Sequence, residues 1–241
     1  MTDDGAGSQQ CSPDDLSSQA PADAGSQQST GGAGLQQKII KVADIKPRNL
    51  SGKKWVAKFP TSKDISDLES TFQANVNGFI NAIKEKNEDG TPINSGVNVD
   101  ILATYRPPER AFLMHWSWCI VKEHYDANKV PKMDGVDICW WHGDQTKSEE
   151  AAQEMVDGYT INKLKVAPAL NSRHTSHQAI DMSITWSGDL NIKNYDGTPI
   201  KITKAPRNST NPDLIKIGKT YGVIHFLTPE NDVNHWSTDG H

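Results

Sequence analysis

No run of apolar residues in the 241-residue chain approaches the ~20 needed to span a bilayer, so no membrane-crossing helix is predicted. The N-terminus has neither a basic stretch nor an apolar stretch behind it, so no secretory signal peptide is visible. A soluble protein is expected, made in the cytoplasm. It either stays there or leaves by a route that reads no such signal. Cysteine is scarce. Cys11, Cys119 and Cys139 make an odd count and indicate no disulfide framework, and free thiols packing as small apolar groups are expected. The first 37 residues lack Lys, Arg, Glu and aromatic residues altogether. They are rich in Gly, Ser and Gln and carry five Asp: Asp3, Asp4, Asp14, Asp15 and Asp23. Such a segment cannot bury enough apolar surface to offset its ordering entropy, so residues 1–37 are predicted to be a disordered tail and residues 38–241 the folded domain. The tail carries the whole formal charge of −5, leaving 25 acidic against 25 basic residues in the rest. A neutral domain has no bulk attraction to nucleic acid or anionic lipid, so neither is expected as a partner.

What is present reads as alternating helix and strand signals. Leu68, Phe72, Val76, Phe79, Ile80 and Ile83 recur at helical spacing, after Ser66 or Asp67 as cap. Turn chemistry in NEDGTPINSG ends that helix. VNVDILATY alternates and predicts a half-buried strand. A second helix is expected from about Glu109 to about His124, opened by Pro107 and Pro108. A third is expected over Ser148–Gly158, with Ser148 as its cap. AIDMSITW reads as a strand, the insert around Asp196-Gly197 as a hairpin, and DLIKIGKTYG as a last helix. VIHFL and NHWS close the chain as short extended segments. This order predicts an α+β fold with a small antiparallel sheet and packed helices.

Three segments carry chemistry: TYRP at 104–107, SRHTSHQAID at 172–181 and DVNHW at 232–236. Ala179, Asp181 and Ser183 share one face of a strand, because side chains alternate. His174 lies in the loop before that strand, which can fold back to bring its imidazole to the Asp181 carboxylate. Imidazole nitrogen and carboxylate oxygen both suit zinc at ~2.0–2.2 Å. His235 would be the third protein ligand, with the fourth position left for water, as in catalytic zinc sites. Asp232 is then placed to act as general base on that water. A guanidinium at Arg106 could bind a substrate carboxylate or an oxyanion.

These residues together resemble the LAS-type (M15-like) zinc peptidases. The pattern is Ser-x-His, an Asp seven positions after that His, and an acidic residue three before a final His followed by Trp. Ser172, His174, Ala179, Asp181, Asp232, His235 and Trp236 carry it, with Tyr105-Arg106 upstream in the expected order. The resemblance implies a hedgehog/DD-peptidase-like fold and one zinc ion per chain, held by His174, Asp181 and His235. It implies Asp232 and Arg106 as catalytic residues, with Arg106, Ser172 and Trp236 in substrate binding. The implied substrate is the peptide part of peptidoglycan, cut by a D,D-carboxypeptidase, dipeptidase or endopeptidase. The site of action would be the periplasm or cell wall, reached as a phage lysin or as an antibacterial effector with secretion machinery or an immunity protein as partner. The departures are His177 where the family usually has Gly, Asp232 where many members have Glu, and a longer insert at 187–210. The first suggests a different loop. A reading from another class is a non-catalytic zinc-binding interaction module on the same scaffold.

The remaining residues have plain structural readings. Tyr105 is expected to pack beneath the site. Ser172 is expected to hydrogen-bond the loop or a ligand's partner and not to act as a nucleophile. His115, His124 and His142 are expected on surfaces or in core hydrogen bonds, and His225 in a buried strand. Trp140 and Trp141 read first as packing under a long loop and second as a sugar or peptide platform.

Overall fold

The computed structural model describes residues 49–227 and 232–241. The tail predicted over 1–37 lies outside the described residues. The elements run α1 (Ser70–Ile83), β1 (Asn98–Ala103), α2 (Pro108–Lys122), α3 (Gln145–Gly158), β2 (Ala179–Thr185), β3 (Leu190–Lys193), β4 (Pro199–Ile202), α4 (Pro212–Thr220), β5 (Ile224–His225) and β6 (His235–Ser237). The class is α+β, as the sequence predicts. The stretch read as one domain falls into two compact units.

The first unit comprises residues 49–56 and 116–167. A parallel bridge joins Leu50 to Cys139. Trp55, Ile138, Trp140 and Met155 are fully buried here, so Trp140 is core packing and not a platform. Cys119 is a buried free thiol, and burial pushes its pKa up to about 11, which keeps it protonated and inert. Cys139 is buried as well. Helix α3 begins at Gln145, one turn earlier than predicted. Asp144 is the cap, its carboxylate accepting from the Lys147 amide at 2.9 Å. Ser148 is instead buried inside the helix, where its hydroxyl donates back to the Asp144 carbonyl at 2.8 Å. A Ser hydroxyl commonly bonds back along its own helix in this way.

The second unit comprises residues 57–115 and 168–241 and holds every predicted site residue. Its sheet has the order β1-β2-β6-β5, with each pair antiparallel. The hairpin β3-β4 stands as a separate two-stranded sheet, turning at Asp196-Gly197 as predicted. Phe72, Val76, Phe79 and Ile83 of α1 form one helical face. They pack with Ile180, Met182 and Ile184 of β2 and with Leu214 and Ile217 of α4. Helix α1 starts at Ser70 under a Glu69 cap, whose carboxylate accepts from the amides of Thr71 and Phe72. The predicted caps Ser66 and Asp67 sit in a preceding 3-10 turn, itself capped by Asp64. In both helices a carboxylate takes the cap, because an anion at the N-terminus also meets the helix dipole.

Strand alternation divides β2 into two faces. Ile180, Met182 and Ile184 are fully buried in the core, leaving Asp181 and Ser183 on the opposite, half-exposed face. The register then matters. Asp181 pairs with His235 on β6, and Ala103 at the end of β1 pairs with Asp181 on its other side. Three chain segments distant in sequence therefore meet at one point of the sheet.

Candidate metal centre

Directly opposed side chains on an antiparallel pair stand with Cβ atoms ~4.5–5.5 Å apart. That register brings the His235 ring onto the Asp181 carboxylate, with Nδ1 3.1 Å from Oδ1. The loop 171–178 supplies the third group. His174 is 3% exposed, and its Nε2 lies 3.1 Å from the same Oδ1 and 3.2 Å from His235 Nδ1. The loop is held by main-chain bonds: the Arg106 amide donates to the His174 carbonyl, and the Gln178 amide to the Arg173 carbonyl.

The outer ring nitrogens fix the chemistry of the inner ones. His174 Nδ1–H donates to the Thr104 carbonyl at 2.8 Å, and His235 Nε2–H donates to the His241 carbonyl at 3.0 Å. A carbonyl only accepts, so each neutral ring carries its proton outward and presents a bare lone pair inward. Two bare nitrogens and one carboxylate oxygen then face one another at 3.1–3.2 Å. Three acceptors at that separation repel unless a cation sits among them. A proton that makes one ring imidazolium is one solution, and a metal ion is the other. Around a tetrahedral ion at bonds of ~2.0–2.2 Å, ligand atoms lie about 3.3–3.6 Å apart. The triangle is within a few tenths of an ångström of that face. His174, Asp181 and His235 thus form a group that could hold a metal ion.

Electrostatics agree with this arrangement. Burial would raise the Asp181 pKa, but the two imidazoles outweigh it and hold the carboxyl well below the usual carboxylate range. Burial would lower the His235 pKa, but Asp181 reverses the sign and raises it. Arg106 is half-buried and, among the described residues, its guanidinium forms no ion pair. Burial lowers its pKa while Asp181 and Asp232 act in the opposite direction. Asp232 is exposed, and its charge is felt at both Arg106 and His235. The three predicted ligands therefore come together around one point, and the charges of Arg106 and Asp232 are felt there.

No family model, curated protein or solved structure matches this chain. The site stands on its own geometry.

One expectation needs correction. Trp236 is fully buried between Phe79, at 5.5 Å, and His225, at 4.5 Å. It belongs to the core and offers no face to a substrate. Alternation demands this: Trp236 follows His235 on β6, so one points to the site and the other to the core. The φ of His177 is +61°, the left-handed region that glycine favours. Its ring stacks on Tyr105 at 4.0 Å and 5°, and its Nδ1–H donates to the Asp67 carbonyl. Those contacts offset the strain of a side chain at positive φ.

Ser172 lies beside the site in the loop, half-buried. Its carbonyl accepts from Thr175, while its hydroxyl is buried without a partner among the described residues. His225 is core, donating through Nε2 to the Val233 carbonyl. Sequence reasoning missed Thr104 and His241, which act through main-chain carbonyls that no residue code reveals. It also missed Asp239, which bonds Arg173 beside the ligand loop.

Proposed function

We propose that the chain is a zinc-dependent peptidase of the LAS (M15-like) type, with the hedgehog/DD-peptidase-like fold, acting on the peptide part of bacterial peptidoglycan. The observation that carries the reading is the inward-facing triad of two bare imidazole nitrogens and one carboxylate oxygen, with both outer nitrogens tied to carbonyls. Two imidazoles and one carboxylate are a donor set that suits zinc and leaves a fourth position open. Zinc, when bound, supplies Lewis acidity that polarises a carbonyl and acidifies a water near neutral pH.

The chain's own residues do the rest. His174, Asp181 and His235 hold the ion, and the Thr104 and His241 carbonyls keep both rings in the ligating tautomer. The exposed Asp232 carboxylate accepts the proton of the attacking water at its oxygen and later returns one to the leaving amine. The Arg106 guanidinium, which forms no ion pair among the described residues, binds a carboxylate or the oxyanion of the tetrahedral intermediate.

The alternative, a zinc module that binds without turnover, has less support. Such a module has no use for a water-activating carboxylate, and this chain carries Asp232, whose charge is felt at His235. Digestion of purified peptidoglycan, followed by mass spectrometry of the muropeptides, tests the reading. New amino-terminal peptides or released D-Ala, abolished by a chelator, are expected. An unchanged muropeptide profile with zinc-loaded protein would remove the proposal.

A further inference from the structure

The segment after β6 bears on the candidate site. It curls back so that the His241 carbonyl meets the outer nitrogen of His235 at 3.0 Å. The curl is built on Ser237, whose Oγ accepts from the amides of Gly240 at 2.8 Å and His241 at 3.1 Å. Asp239 stands at its apex. One of its oxygens accepts from the His241 amide at 3.2 Å, and the carboxylate also takes the Arg173 fork. Arg173 Nε lies 3.1 and 3.0 Å from the two oxygens, and Nη2 also donates. Arg173 is the residue immediately before His174. One ion pair therefore ties the segment that carries the first ligand to the segment that orients the third.

We propose that Arg173 and Asp239 are positioning residues which clamp the two histidine-bearing segments together and so set the affinity of the site for its metal. The inference rests on the metal-site reading of the triad. Exposed ion pairs between flexible chains contribute little, and this pair is 41% and 36% exposed. Its geometry sets it apart. A planar fork on both oxygens of a carboxylate fixes direction as well as distance, which a point charge does not. The carboxylate is also bonded to the main chain whose next carbonyl fixes His235. Loss of the bridge frees the 237–241 curl, the His235 ring loses its outer anchor, and the ring's inward lone pair loses its aim. Partners of this kind commonly tune metal affinity by about 10- to 100-fold.

The test uses the full chain, stripped with chelator and titrated with zinc against a chromophoric competitor. Asp239→Asn and Arg173→Ala are each expected to weaken zinc binding about 10- to 100-fold, while the melting temperature of the metal-free protein stays near wild type. The double variant Arg173→Ala/Asp239→Asn is expected to lose no more than either single one, because both remove the same link. Arg173→Lys is expected to recover only part, since it keeps the charge and loses the fork. Wild-type affinity in Asp239→Asn overturns the clamp, and so does a loss that merely follows a fall in metal-free melting temperature. Wild-type protein that binds no zinc overturns the metal-site reading itself, a result distinct from the other two.

Discussion

His235 has one ring nitrogen on a carboxylate and the other on a main-chain carbonyl, and its role follows from that pairing. The same logic holds for His174 with Asp181 and Thr104. Removing a ligand and removing the base should therefore separate cleanly. His174→Ala is expected to lose both zinc and turnover, because two remaining ligands make a poor site. Asp232→Ala is expected to keep zinc and lose about 10²–10⁴-fold in turnover, the usual contribution of a general base. Metal content by mass spectrometry and peptidoglycan release rates, measured on the same samples, decide it. An Asp232→Ala enzyme as fast as wild type would remove that residue from the mechanism. The three residues that could hold a metal were legible in the sequence, because residue type and order carry ligand chemistry. Their partners were not. Thr104 and His241 contribute only backbone oxygen, and the Arg173–Asp239 pair spans 66 positions.

At the scale of the element, alternation along a strand assigns faces and the register decides which faces meet. β6 puts His235 on the site and Trp236 in the core, where its ring lies against Phe79 of α1 and beneath α4. Gly218 of α4 shows how tight that contact is. A Cβ there would lie 2.9 Å from the Trp236 ring and 2.9 Å from the Val223 carbonyl. Alanine is the better helix former by about 1 kcal/mol, which argues for stabilisation. Overpacking of a filled core costs about 1–3 kcal/mol, and the carbonyl cannot rotate away as a side chain can. The clash wins, so Gly218→Ala is expected to destabilise the protein, read as a lower denaturant midpoint with an unchanged slope. A midpoint at or above wild type would show the contact to be soft. The helix starts were misjudged at this scale in opposite directions. Leu68 joins the apolar stripe yet precedes the Glu69 cap, and Ser148 lies inside α3 beyond the Asp144 cap, because periodicity marks only the buried stripe.

For the whole molecule, stability and metal binding are linked through the same protons. In the metal-free protein the His235 pKa is raised above its ordinary 6.5, so its contribution is complete below that value and fades as pH rises through the folded pKa. The Asp181 pKa is depressed below its ordinary 3.8, so its contribution is present above that value and is lost as pH falls through the folded pKa. Metal reverses the upper half, because it needs both rings deprotonated and its stabilisation grows as they lose protons. The fall in melting temperature caused by a chelator is expected to widen from about pH 6 to about pH 8. A chelator effect that is constant across that range, in calorimetry, would contradict the linkage.

The sequence by itself determined the α+β class, the identity of most elements and the residue types able to bind a metal. Those are local matters: periodicity, turn chemistry, and nitrogen or oxygen lone pairs at given positions. Only the tertiary structure decided that Asp181 and His235 stand opposite each other, that Trp236 turns inward, and that the chain after β6 curls back to aim a ligand. Register and main-chain hydrogen bonds between distant segments set these, and neither is written in any one stretch of residues.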